Sequence, residues 1–280
     1  MPFTLIKGTY RPLAGIPDGD SLRFRANNLS LWKKLEGAPV VLGTGAETKD
    51  TVQLRLEGID AIEKGAAKNT DPKKSLSIQA RDNLFTRINF DKDTTPQPAG
   101  YILSRMTDDK SRRPICFIFY GKTNLADGSS VMLDAKLLRK SANYQQMLDG
   151  YAYPLYYNTL FASLRNEFTN ALQLAKKAKR GYWPTDKTSQ GVTVTSAANL
   201  TSIPPIWPKL WRRLETHFRN NTSLKGFIDF LTKENERVDI LPIMEERGLQ
   251  DIVKVTGNKV RLTVSPESIR VVANAGKRRR

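Results

Sequence analysis

Apolar and polar residues alternate first across residues 3–26, where "FTLIKGTYRPLAGI" and "SLRFRA" flank the turn "PDGD" and predict two strands. The alternation returns in "VQLRLEGIDAIE", residues 52–63. Val52, Leu54 and Leu56 point one way and Gln53, Arg55 and Glu57 the other, until the chain breaks at Gly58. Two further strands, "AGYILSRM" and "RPICFIFYG", are separated by the polar turn "TDDKSR". A period near 3.6 appears instead at residues 75–89, near residues 131–143, and over Leu160–Arg180. The last of these carries Leu164, Phe168, Leu172 and Ala175 in one stripe and ends in Lys176, Lys177, Lys179, Arg180 and Gly181. Cations and a glycine at that end suit the helix dipole and the C-cap.

Five strands with a helix among them suit a small, partly open Greek-key barrel of the OB type. Residues 27–50, rich in Gly, Ala and Thr, read as a loop or an added hairpin, and residues 64–75 as a Lys-rich mobile loop. Residues 185–202 contain few large apolar side chains and read as a linker. Beyond them, "PIWPKLWRRLETHFRNN" places Trp207, Trp211, Leu214 and Phe218 near one helical face, with Arg212, Arg213 and Arg219 elsewhere on it. "SLKGFIDFLTKENE" predicts a second helix and "DIVKVTGNKVRLTVS" a hairpin turning at Gly257-Asn258. The fold class expected is therefore α+β. A five-stranded OB-type barrel with flanking helices would occupy residues 1–184. A linker over 185–202 would join it to a smaller α+β domain, winged-helix-like in outline, over 203–280, with a basic tail.

Charge narrows the partners. The chain holds 45 Lys and Arg against 28 Asp and Glu, a net +17. The excess is spread, with 16 basic against 9 acidic residues in 191–280 and the remainder before them. Nucleic acid is the natural partner of such a surface, with an anionic membrane surface second. No run approaches a membrane span, and no export signal opens the chain, so a cytoplasmic location is expected. Cys116 is the only cysteine and His217 the only histidine. A His-based triad or a His/Cys zinc site therefore lacks its parts. Chemistry must come from carboxylates, with arginine or a hard cation supplying positive charge. Cys116, His217, Trp207 and Trp211 read as packing residues.

Three short motifs carry that chemistry. They are Asp18-Gly19-Asp20-Ser21, Arg55 followed after four residues by Asp60-Ala61-Ile62-Glu63, and Asp109-Lys110-Ser111-Arg112-Arg113. Taken singly, each has a plain structural reading as a turn, a strand-face arginine or a loop charge. In this order the sequence resembles the staphylococcal nuclease family over residues 3–184, whose pattern is Asp-Gly-Asp-Thr, then Arg-(four residues)-Asp-(Thr/Ala)-Pro-Glu, then Asp-Lys-Tyr-Gly-Arg. The late helix ending "KRGYW" is also similar. Ile62 replaces the family's proline, Ser111-Arg112 its Tyr-Gly, and residues 27–50 look inserted.

The resemblance implies a Ca²⁺ held by Asp20, Asp60 and the Ala61 carbonyl, with Glu63 as general base. Arg55 and Arg113 would grip the phosphate, and Lys110 and Tyr153 would touch the nucleotide. Those roles accord with the chemistry of hard oxygen donors and of planar guanidinium forks. The activity implied is metal-dependent hydrolysis of DNA or RNA with little sequence preference. The alternative is an OB-type module that binds nucleic acid without cutting it.

Overall fold

In the computed structural model, which describes residues 2–67 and 75–272, the alternating runs form strands. Strand β1 (Phe3–Arg11) turns into β2 (Arg23–Ala26). The stretch from residue 52 forms three short strands, β3 (Val52–Gln53), β4 (Arg55–Leu56) and β5 (Gly58–Asp60). Helix α1 (Leu76–Arg87) leads to β6 (Ala99–Thr107) and β7 (Pro114–Tyr120). Then come β8 (Ser130–Val131), α2 (Ala135–Leu138), α3 (Ala142–Leu148), β9 (Tyr153–Tyr157) and α4 (Ala162–Lys177). The remainder holds β10 (Val192–Thr193), α5 (Ala197–Leu200), α6 (Pro208–Phe218) and α7 (Phe227–Glu234). Two hairpins, β11 (Arg237–Ile240) with β12 (Glu245–Gly248) and β13 (Val253–Thr256) with β14 (Lys259–Leu262), precede β15 (Ile269–Val271).

The first sheet runs β3-β2-β1-β6-β7-β4. Its two ends belong to one piece of chain, because β3 pairs antiparallel with β2 while β4, two residues on, pairs parallel with β7. The sheet thus curls into a nearly closed barrel, and the molecule is mixed α+β. Leu5, Phe24, Leu54, Ile102 and Phe117 fill it, with Phe168 of α4 and Leu84 of α1 packed against them. At Gly58 the backbone takes φ +82°, which glycine adopts without the Cβ penalty of other residues. A Cβ there would also lie 2.5 Å from the Phe168 ring. The break steers β5 out of the barrel to pair with β9.

Beyond the barrel the structure departs from expectation. Residues 185–202 are not a linker: they contain β10 and α5 and bury Val192, Val194 and Leu200. Their few apolar side chains all serve the core, so a low apolar count misled. A second sheet, β12-β11-β15-β9-β5, joins the end of the chain to the first half. A shared core gathers Ile62, Tyr153, Leu155 and Tyr182 with Trp207, Leu210, Trp211 and Val271. The described residues before 185 and residues 203–272 are consequently packed around that one core. Two hairpins rather than one follow α6 and α7, and β14 of the predicted hairpin also pairs with β10. The helix expected near 131–143 is two helices. Ser141 caps the second, its hydroxyl accepting the Tyr144 N–H at 3.2 Å. Residues 27–50 form a loop rather than a hairpin, with a 3-10 turn over Leu29–Lys34 that buries Leu31 and Trp32 and single bridges from Glu36 to Met106 and from Gly43 to Lys49. The Lys-rich loop lies partly, and the basic tail wholly, outside the described residues. Among the described residues no helix is long and apolar enough to cross a membrane.

Cys116, Trp207 and Trp211 are buried, and His217 packs among Phe218, Phe227 and Phe230. Glu57 is the unexpected buried charge, only 6% exposed. Burial pushes its carboxyl up to about 7, with Arg105 and Arg55 opposing. The folded protein holds that proton more tightly than the unfolded chain, whose carboxyl has the ordinary value of 4.5. Stability from this group is full below that value and is lost as pH rises through about 7. Glu57→Gln is expected to stabilise the protein at pH 8 by up to about 3 kcal/mol and to flatten the pH dependence of stability in between. Urea unfolding at pH 5 and pH 8 measures both.

Candidate functional site

The Asp18-Gly19-Asp20 turn is held from several sides. Asp18 N–H donates to the Ser21 carbonyl at 3.1 Å, and Leu56 N–H of β4 donates to the Asp20 carbonyl at 3.0 Å. Gln146 of α3, fully buried, donates through Nε2 to the Gly19 carbonyl at 2.6 Å and to the Ala80 carbonyl of α1 at 2.9 Å. Only glycine fits between these elements, since a Cβ on Gly19 would stand 2.6 Å from Ala80 Cβ and 2.7 Å from Ala61 Cβ. The turn therefore lies directly on the end of β5. Asp20 Oδ2 accepts the Ala61 N–H at 2.9 Å. Burial raises the Asp20 carboxyl well above its ordinary range, and Asp18 and Asp60 push it the same way.

The break at Gly58 thus brings Asp60 beside Asp20, although forty residues separate them in sequence. Arg55, on β4, donates Nη2 to the Tyr157 hydroxyl at 3.1 Å and lies over its ring, 5.2 Å from the centroid. Burial works against its charge, but Tyr157, Asp60 and Asp20 raise its pKa overall. Arg113, at the mouth of β7, donates Nε to Ser111 Oγ at 2.7 Å and pairs with Asp108 at 3.4 Å. Asp108 accepts the backbone N–H of Lys110 and Ser111 as well. Burial would raise its carboxyl, but the Ser111 bonds, Arg113 and Arg55 together hold it below its ordinary value. Asp108 is also under the influence of Arg55. Asp20, Asp60 and Arg55 act on one another, and Asp60 and Glu63 share one arginine, while Arg113 contacts Asp108 and Ser111 and Lys110 is exposed on the same turn.

Tyr153 does not face this neighbourhood. It is fully buried, stacks on Tyr182, and donates its hydroxyl to Asp186 at 2.7 Å. The strand "YAYPLYY" places Tyr157, not Tyr153, against Arg55, so the substrate-contact expectation for Tyr153 is corrected. The Tyr153 side chain enters the shared core, where Tyr182, Trp183 and Asp186, all beyond α4, contact it.

The largest surprise is Arg212 of α6. Its Nη1 donates to Asp60 Oδ1 at 2.9 Å and to Glu63 Oε1 at 2.6 Å, while Nη2 donates to Asp60 Oδ2 at 2.8 Å. The pair with Asp60 is a two-pronged guanidinium–carboxylate contact, the strongest geometry arginine offers. Burial would lower the Arg212 pKa, yet Asp60 and Glu63 hold it well above its ordinary value. Glu63 moves up mainly because it is buried, with Arg212 pulling the other way. No local signal announced Arg212: its partners lie about 150 residues earlier, and its flanking Trp211 and Leu214 mark only a packed helix.

Asp20, Asp60 and the Ala61 carbonyl are the groups that would hold a Ca²⁺, and hard oxygen donors are the right type. As arranged they do not fit one. Both Asp60 oxygens and Glu63 Oε1 are bound by Arg212, and Asp20 Oδ2 is bound by the Ala61 N–H. Among the described residues no group of three or more His, Cys, Asp or Glu side chains is placed to hold a metal ion. The positive charge expected from calcium is supplied here by a side chain of the chain's own C-terminal part. Neither the protein-family models nor the curated proteins compared with this chain match it.

Proposed function

We propose that residues 3–184 form a staphylococcal-nuclease-like domain that hydrolyses phosphodiester bonds of DNA or RNA with low sequence specificity. One observation carries the reading: Asp20, Arg55, Asp60 and Glu63, from two separated motifs, act on one another or share a partner, and Asp108, the partner of Arg113, feels Arg55. An OB-type barrel accords with the strand order, in which the run from Val52 to Leu56 pairs on both sides and α1 follows it. Glu63 is assigned as the general base that takes the proton of the attacking water, and burial keeps its carboxyl above the usual range. Arg55 and Arg113 are assigned to the phosphate oxygens, where their fixed forks meet charge that grows in the transition state. The net charge of +17 favours a polyanionic substrate.

A second reading is favoured by Arg212. A base already paired with a guanidinium is a weaker proton acceptor, so the same notch suits a domain that grips nucleic acid without cutting it. The full chain, incubated with single-stranded DNA, double-stranded DNA and RNA in Ca²⁺, in Mg²⁺ and with chelator, separates the two. Cleavage in any arm supports the nuclease. Salt-sensitive binding with intact substrate in every arm rejects it in favour of the binding module.

A further inference from the structure

We infer that Arg212 is an internal cation that plugs the acid notch, and that a divalent metal ion binds there only when this guanidinium is removed. The inference rests on the reading of Asp20, Asp60 and Glu63 as a phosphodiester site, and goes beyond it by assigning control of that site to α6. The contact is stereochemically specific, since one guanidinium bridges Asp60 and Glu63 with three hydrogen bonds. It is also delivered by a fixed element. Trp207 Nε1 donates to the Pro154 carbonyl and Trp211 Nε1 to the Leu200 carbonyl, while Lys209 and Arg213 both pair with Glu236. Helix α6 is thus pinned on both sides of Arg212.

The exposure of the pair is uneven. The Arg212 side chain is 34% exposed and the Asp60 side chain only 4%. The guanidinium therefore covers the carboxylate from the solvent side. Four carboxylates, Asp18, Asp20, Asp60 and Glu63, act on one another here. Removing the arginine leaves them short of positive charge, which is the condition under which oxygen ligands recruit a hard cation.

Calorimetric titration of the full chain with Ca²⁺, repeated with Tb³⁺, tests this on the wild type, Arg212→Gln, and Arg212→Gln with Asp60→Asn. The expected result is a single site in Arg212→Gln at least about tenfold tighter than any in the wild type, abolished by Asp60→Asn. Arg212→Gln leaves a buried carboxylate unpaired and loses stability. Thermal unfolding gives a second readout: about 10 mM Ca²⁺ raises the midpoint of Arg212→Gln by several degrees and leaves the wild type unmoved. Equal binding by wild type and Arg212→Gln overturns the inference, as does a variant that gains neither binding nor thermal shift. A gain of binding with no cleavage of DNA or RNA leaves the plug standing and removes the nuclease reading instead.

Discussion

Glu63→Gln is expected to slow cleavage of DNA or RNA by about 10²–10³-fold, and Arg113→Ala by a similar factor. The glutamine keeps the shape and one hydrogen-bond acceptor for Arg212 but cannot take a proton, so the loss falls on the chemical step. Among the described residues Arg113 is held by Ser111 and Asp108, with its side chain a third exposed. Its removal is therefore expected to cost little stability and to act on the phosphate. A pH profile distinguishes these roles from mere disturbance of the notch. A base must be deprotonated to act, and burial raises the Glu63 carboxyl above its ordinary value. The wild-type rate should climb with pH through that raised pKa, and the climb should vanish in Glu63→Gln while surviving in Arg113→Ala. Unchanged cleavage by either variant removes the role assigned to that residue.

Deleting residues 203–280 is expected to destroy the cooperative fold rather than to yield a smaller working domain. On composition alone, the second part looked separable. In the structure β15 pairs in parallel with β9, at Arg270↔Tyr156 and Val271↔Tyr157. Trp207, Leu210 and Trp211 cover Ile62, Tyr153, Leu155 and Tyr182. Each large apolar side chain returned to water costs about 1.5–3 kcal/mol, so exposing these four costs as much as the roughly 5–15 kcal/mol that holds a domain together. Asp60 would also lose its guanidinium, leaving a buried carboxylate without its counter-ion. Thermal unfolding followed by near-UV circular dichroism measures the effect. A sharp transition in the truncated chain contradicts the single shared core.

Local physics made much of this protein legible. Period-2 alternation marked β1 and β2 because one face of each is dry, runs of β-branched and aromatic residues marked β6 and β7, and a 3.6 period marked α1, α4 and α6. The order of Asp20, Arg55, Asp60, Glu63 and Arg113 along the chain was likewise visible. In the fold Asp20, Asp60 and Arg55 act on one another, and Asp60 and Glu63 share Arg212. Gly58 stood out as the place where the third strand breaks, and that break is what aims Asp60.

What the sequence did not reveal depends on contacts between segments far apart in the chain. The core role of residues 185–202 escaped notice because three apolar side chains, Val192, Val194 and Leu200, suffice when each lands in the core. Tyr153 and Tyr157 occupy equivalent-looking positions in one aromatic run. Only the tertiary packing sets the first against Tyr182 in the core and the second against Arg55. Arg212 is the extreme case. On its helix it is one of several charges on a polar face, indistinguishable from Arg213 or Arg219, and pairing at a distance leaves no periodicity to read. The chain itself determined which carboxylates and arginines exist and that strands would gather them. The tertiary packing of α6 against β5 decided which positive charge those carboxylates meet, because Coulomb attraction depends on separation in space and not on position in sequence.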